Sequence, residues 1–287
     1  MSKPRVAIFG PGLLGGSIAL KLREIGASSV AMWARRPAVL ATLREREIAD
    51  VVSCDVAEVV RDADLVILCV PIGAMAGLAA EIVRFVRPEC IVTDVGSVKA
   101  SVVAELEPIF AGHCRFIGSH PMAGKAESGI EAAEAGLFAG TTCILTRSGR
   151  DDGSEGTVRA FWEALGCRVV AMSPQEHDEC VALISHLPHL VAGNLIRAVA
   201  EKNPRAFDVV GPGFRDTTRV ASGPPELWAG ILQANRAAIL DAIDAMIAKL
   251  GDFRQILARA EHAGGIEELQ NFLAAAKQTR DQIKFPK

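Results

Sequence analysis

The residues best suited to chemistry are scattered along the chain in short, dense groups. His120 stands in Gly118-Ser119-His120-Pro121-Met122-Ala123-Gly124. An imidazole titrates near working pH, so a histidine fixed between a serine and a proline in a glycine-rich loop can accept a hydroxyl proton as hydride departs. The plainer alternative is a histidine that only hydrogen-bonds its own loop. Upstream, Asp94-Val95-Gly96-Ser97-Val98-Lys99 follows an apolar run, at the kind of strand end where open α/β sheets put ligands. That makes Gly96 and Ser97 candidates. Downstream, Ser185-His186-Leu187-Pro188-His189 places its imidazoles at i and i+3, on one face of a helix. Pro188 has no N–H for the carbonyl of Ile184 and should kink that helix. The histidine pair could ligate a metal, but no cysteine or carboxylate pair completes a site, so no metal is expected. Gly213-Phe214-Arg215-Asp216-Thr217-Thr218-Arg219, followed by Trp228, offers an arginine fork suited to a carboxylate. The alternative for Arg219 is a structural ion pair with Asp216 or Glu226.

A different chemistry is written at the start of the chain. Gly10-Pro11-Gly12-Leu13-Leu14-Gly15 is a G-x-G-x-x-G between an apolar strand and an amphipathic helix, and that context gives the motif its weight. Gly10 allows the tight turn, Gly12 lets a pyrophosphate approach the backbone, and Gly15 lets the helix lie close to the sheet. The free amides at the helix start, at Leu13 and Leu14, then face the phosphates. A strand–helix turn without a ligand is the alternative. A dinucleotide-binding strand usually ends in an acid for the ribose hydroxyls; here it ends Trp33-Ala34-Arg35-Arg36. Guanidiniums in place of a carboxylate favour a 2′-phosphate, so NADP is expected in preference to NAD, with NAD still possible. Val70 and Pro71, at the end of the next buried strand, complete the expected cofactor wall.

The elements that must position these residues can be read from periodicity. Val6–Phe9, Val30–Trp33, Leu65–Val70 and Ile91–Val95 read as strands, with helices after them at Leu13–Leu22, Pro37–Glu47 and from about Val98. Further strands are expected at Thr142–Thr146 and Cys167–Met172, around a helix at Glu155–Leu165. Strands alternating with helices predict a parallel sheet covered on both faces, of Rossmann type. After Ser173 the pattern turns helical: Glu176–Glu201, Pro225–Leu250 and Ile266–Lys284. The expected division is an α/β dinucleotide-binding domain over residues 1–172 and an all-helical domain over 173–287.

Composition narrows the classes. Of 287 residues 50% are hydrophobic and 23% charged, which is a globular balance. A net charge of −3 argues against a nucleic-acid partner. The seven cysteines are scattered and include no Cys-x-x-Cys pair, which points to a reducing, cytoplasmic setting and no disulfide framework. Met1–Arg5 leads straight into a strand, so no signal peptide is expected, and no apolar run looks long enough to span a bilayer.

Taken in order, the glycine loop at Gly10, Asp94–Lys99, His120–Gly124, Ser185–His189 and Gly213–Arg219 with Trp228 resemble the prephenate/arogenate dehydrogenase family of tyrosine biosynthesis. The resemblance spans nearly the whole chain. It implies oxidative decarboxylation of a cyclohexadienol with NADP+ or NAD+: hydride leaves the carbon bearing the hydroxyl, the ring carboxylate departs as CO₂, and the ring becomes aromatic. It implies that His120 takes the hydroxyl proton and that Ser97 orients His120 near the nicotinamide. Arg219 would bind a substrate carboxylate, His189 would hold the substrate, and His186 and Trp228 would shape the pocket, with Lys125 and Asp216 also on the substrate side. A homodimer through the helical domain is implied as well. The chain departs from the family pattern at Ala34, which lacks the cofactor acid. It departs again at Lys125-Ala126-Glu127, where many prephenate-using members carry the acid one position earlier than Glu127. Prephenate is the favoured substrate because His189 is present, with arogenate the alternative. A β-hydroxyacid dehydrogenase or imine reductase would put a catalytic lysine on the long helix after the sheet, and Glu176–Glu201 contains none. A non-catalytic NADP-binding sensor would have no use for His120, His189 and Arg219 together.

Overall fold

The computed structural model describes residues 4–26, 29–125, 127–146 and 153–284. Met1–Lys3, part of the expected signal-free N-terminus, and Ala126, the position of the missing acid, lie outside the described residues. The first half alternates strand and helix: β1 (Arg5–Phe9), α1 (Leu13–Glu24), β2 (Ser29–Trp33), α2 (Pro37–Glu45), β3 (Val51–Ser53), α3 (Val56–Val60), β4 (Leu65–Leu68), α4 (Ile72–Ile82), β5 (Ile91–Asp94), α5 (Ala100–Phe110) and β6 (Arg115–Ile117). The six strands pair in parallel in the order β3-β2-β1-β4-β5-β6. The order reverses between β1 and β4, and the crevice above their carboxyl ends is where a doubly wound sheet takes its ligand. Every residue of β4 and β5 is buried, as a strand covered by helices on both faces requires.

The later strands do not extend this sheet. β7 (Ser119–Pro121), β8 (Thr142–Thr146) and β9 (Arg168–Met172) form a separate three-stranded sheet, with β7 antiparallel to β8 and β9 parallel to β8 across α6 (Ser154–Ala164). His120 therefore sits on a buried strand, where the sequence suggested a loop. Three residues, the last of them proline and preceded by Gly118, are too few to show strand periodicity; pairing with β8 makes the strand.

From Pro174 to Lys202 the chain is one continuous helical rod: α7 (Pro174–Val181), a π turn (Ala182–His186) and α8 (Leu187–Lys202). The π turn ends one residue before Leu187-Pro188. The sequence predicted a disturbed helix at Pro188, and the irregularity takes the form of this π turn just before it, with His186 in the interior, 1% exposed. By length and composition this rod could cross a bilayer, contrary to the sequence expectation. Its first half, however, carries the buried polar residues His177, Asp178 and His186. Then follow α9 (Pro212–Thr218), a 3₁₀ turn (Arg219–Ser222), α10 (Pro225–Ala234), α11 (Arg236–Ala258) and α12 (Gly265–Gln282). The predicted helix 225–250 is thus two, broken at the buried Asn235.

The core is lopsided. Two large apolar clusters fill the two faces of the six-stranded sheet. Each fully buried Leu, Ile or Phe side chain there contributes on the order of 1.5–3 kcal/mol. The helical half has a buried cluster of only Ala182, Ile239 and Ala242, while Leu240, Ile247, Leu250, Leu257 and Leu273 stand exposed.

Candidate active site

Above the β1–β4 crevice lies a cleft of about 870 Å³, lined by Gly10, Pro11 and Gly12, by Trp33 to Arg36, and by Val70 and Pro71. The glycines explain its shape. Gly10 has φ +109°, and a Cβ there would fall 2.3 Å from the carbonyl oxygen of Cys69. A Cβ at Gly15 would fall 2.1 Å from the Gly10 carbonyl oxygen, so α1 can lie against the loop only as glycine. Gly12, by contrast, has open space in front of it, as a backbone approached by a ligand needs. Leu13 and Leu14 turn their side chains onto the core, which leaves the first-turn N–H groups of α1 for an anion. Ala34 is buried and Arg35 and Arg36 are exposed at the end of β2. The residues present fit a dinucleotide: a glycine cradle, a helix N-terminus and a lined cleft at the topological switch.

The strand that carries His120 is tied to the end of β5, the neighbour of β4, after which Val70 and Pro71 line the cleft. The Asp94 carboxylate accepts the backbone N–H of Gly96 at 2.7 Å and that of Ser119 at 3.1 Å, and it pairs with Lys99, both side chains being fully buried. One carboxylate thus ties the Gly96–Ser97 turn to β7. His120 Nδ1 lies 2.8 Å from His177 Nε2, and His177 Nδ1 lies 2.7 Å from Asp178 Oδ1. Asp178 also accepts the backbone N–H of Lys99 at 2.7 Å and of Ala100 at 2.9 Å, capping α5 from the helical half.

These partners fix the protons. A carboxylate only accepts, so His177 Nδ1 carries its hydrogen and His177 Nε2 is bare. His120 Nδ1 must then donate, and the lone pair of His120 is left on Nε2. Burial, followed by repulsion from His177, Lys99 and His186, holds His120 well below the usual imidazole value, so the ring is neutral. Ser97 makes no hydrogen bond to His120 in this structure; the ring is held by His177.

The polar chain continues into the helical half. The Asn235 amide nitrogen donates to the Asp178 carbonyl at 2.8 Å and lies 3.2 Å from His186 Nδ1. Burial pushes His186 down to about 4. Trp228 meets His186 edge-on and stacks on His189 at 3.5 Å between ring centroids. A side chain at Gly223 would strike the Trp228 indole, so the glycine makes room for this stack. His189 Nδ1 donates to the carbonyl of Val220 at 2.8 Å, which draws the Arg219–Ser222 turn against α8. His120, His177, His186, Trp228, His189 and the turn that begins at Arg219 are therefore one contiguous assembly. Arg219 is exposed and makes no ion pair among the described residues; Asp216 pairs with Arg215 instead, at 3.1 Å. Lys125 pairs with Glu134 at 2.5 Å. Asp216 and Lys125 are not drawn into the assembly, because each charge has a nearer partner. Among the described residues no group of His, Cys, Asp or Glu could hold a metal ion.

His177, Asp178 and Asn235 did not stand out in the sequence. The available signal was Ser173-Pro174-Gln175-Glu176, a capping box that the structure contains, with His177-Asp178 as the next turn of a helix facing the sheet domain.

Comparison with known proteins agrees with this arrangement. The family model for the nucleotide-binding domain of prephenate dehydrogenase matches residues 18–171, and that for its dimerization domain matches 173–278. A cyclohexadienyl dehydrogenase of Zymomonas mobilis is 36% identical, covering 88% of each chain. The structure of prephenate dehydrogenase from Aquifex aeolicus, in complex with hydroxyphenyl propionate and NAD+, superposes with a TM-score of 0.90 at 31% identity, covering 99% of each chain. An arogenate dehydrogenase from Synechocystis gives 0.83 at 30% identity, covering 97% of this chain and 99% of that one. The sheet order, the glycine cradle and the extent of these matches together show that the chain belongs to the prephenate dehydrogenase family.

Proposed function

We propose that the chain oxidatively decarboxylates prephenate to 4-hydroxyphenylpyruvate and CO₂, with NADP+ preferred over NAD+. The observation that carries this reading is the neutral, buried His120 whose Nε2 lone pair is left free by the His177–Asp178 relay. The chemistry a bound dinucleotide supplies is acceptance of hydride. Gly10, Gly12 and the first-turn amides of α1 would hold its pyrophosphate, Val70 and Pro71 would form one wall, and Gly96 and Ser97, after β5, would face its nicotinamide. Arg35 and Arg36 bind a 2′-phosphate that a carboxylate at Ala34 would repel.

His120 Nε2 takes the proton of the ring hydroxyl as hydride leaves the same carbon. The bond to the ring carboxylate then breaks, its electrons complete the aromatic ring, CO₂ departs, and the resulting phenolate oxygen recovers its proton from His120. Aromatisation makes the reaction effectively irreversible. Arg219 binds a substrate carboxylate, His189 on Trp228 holds the substrate, and His186 forms the pocket wall. The helical half forms a homodimer, supported by its small buried cluster, its exposed leucines and the match to the family's dimerization domain.

Arogenate is the second reading, favoured by the absence of an acid at Ala126. The test is the purified protein assayed with prephenate and arogenate, each with NADP+ and NAD+, following the reduced nicotinamide. The expected result is fastest turnover with prephenate and NADP+. Faster turnover with arogenate or NAD+ would overturn the corresponding choice, and silence in all four assays would overturn the reaction.

A further inference from the structure

The dinucleotide cleft has a wall that comes from far along the chain. Gly129, Ile130 and Glu131 line it, although they lie between β7 and β8. This segment is seated on both helices that flank β2. At α1, a Cβ on Gly16 would fall 2.4 Å from Ile130 Cδ1 and 2.8 Å from Ala133 Cβ, so the contact exists only because that position is glycine. The buried Ser17 hydroxyl accepts the N–H of Glu134 at 3.0 Å. Just beyond α2, Arg46 donates to the Ile130 carbonyl at 3.2 Å and forms an ion pair with Glu131.

Glu131 is therefore a carboxylate held at the β2 side of the cleft, where a dinucleotide-binding fold puts the acid for the adenosine ribose hydroxyls. The end of β2 itself offers only Ala34, Arg35 and Arg36. The other carboxylate on the cleft, Glu81, belongs to α4 and shares the opposite wall with Ala74, Gly77 and Leu78. We infer that Glu131, held by Arg46, is the ribose-facing acid of this chain, supplied by a remote segment in place of the missing residue at the end of β2. It sets selectivity against the arginines: its carboxylate accepts from a free 2′-hydroxyl and repels a 2′-phosphate, whereas Arg35 and Arg36 favour the phosphate. The inference rests on the cleft taking a nicotinamide dinucleotide.

The test is direct titration of the full chain with NAD+ and with NADP+, read as dissociation constants and not as turnover, for the wild type and Glu131→Gln. The Glu131 side chain is 70% exposed, so the substitution leaves the fold intact. The expected result is an NAD+ dissociation constant raised roughly three- to tenfold, with that for NADP+ unchanged or lowered. An NAD+ constant that does not move, or equal weakening of both cofactors, would overturn the role of Glu131. The wild-type ratio separately tests the arginines: a wild type that prefers NAD+ defeats the NADP reading and leaves the Glu131 comparison intact. Binding of neither dinucleotide by the wild type would overturn both.

Discussion

The proton that matters at His120 is governed by atoms on another element. Asp178 forces the hydrogen onto His177 Nδ1, His177 Nε2 then requires one on His120 Nδ1, and the basic lone pair is left on the far nitrogen. Burial above all, with repulsion between the positive forms of His120 and of His177, Lys99 and His186 added to it, keeps that ring neutral below the ordinary histidine value of 6.5. The sign follows. A lowered value means the base stays unprotonated as pH drops through 6.5, so kcat/KM should fall only at more acid pH, and a limb at or above 6.5 would contradict the assignment. His120, His177 and His186 are all lowered by burial, so the unfolded chain binds protons that the folded one does not, and stability should also decline below that pH. Arg219 has no internal partner among the described residues, so Arg219→Gln should mainly raise the substrate KM, with kcat less affected. An unchanged KM would move the carboxylate contact elsewhere. His120, His189 and Trp228 were legible in the sequence because their motifs are dense. His177 was not, because a His-Asp pair at the start of a polar helix looks like solvated surface until α5 is packed against it.

At the scale of elements, the site depends on how pieces distant in sequence meet. α5 has no side-chain cap of its own; Asp178, from α7, supplies one across the boundary between the sheet and the helices. Asp178→Ala would remove that cap and leave buried N–H groups of α5 and His177 without an acceptor. The expected cost is about 2–4 kcal/mol, read as a lowered unfolding midpoint, together with reduced kcat. Normal stability would mean that the cap contributes little. The apolar strands β1, β4 and β5 and most helices could be anticipated from periodicity. The short β3, β6 and β7 could not, since each is three residues long and exists through its pairing. The π turn was hidden for a related reason. Pro188 signals an irregularity, but not that it takes the form of a π turn whose last residue, His186, packs against Asn235 and Trp228.

The whole molecule is asymmetric in how it buries its apolar surface. The sheet domain encloses its own core, while α11 and α12 leave Leu240, Ile247, Leu250, Leu257 and Leu273 outside. Exposed apolar side chains in such number on two helices suit an interface, and a second copy of the chain is the partner proposed above. Sedimentation should find a dimer at micromolar concentration, with thermal stability falling on dilution. A monomer whose stability is independent of concentration would oppose that assembly. Two elements nonetheless converge on one atom, His120 Nε2: β7 carries the ring, and His177 on α7 leaves that nitrogen's lone pair free. The most direct measurement is therefore turnover of His120→Asn alongside its dinucleotide affinity by titration. The expected result is kcat lowered roughly 100- to 10,000-fold with the dissociation constant unchanged. Near-normal turnover by that variant would show that the proton goes to some other group and would contradict the mechanism at its centre.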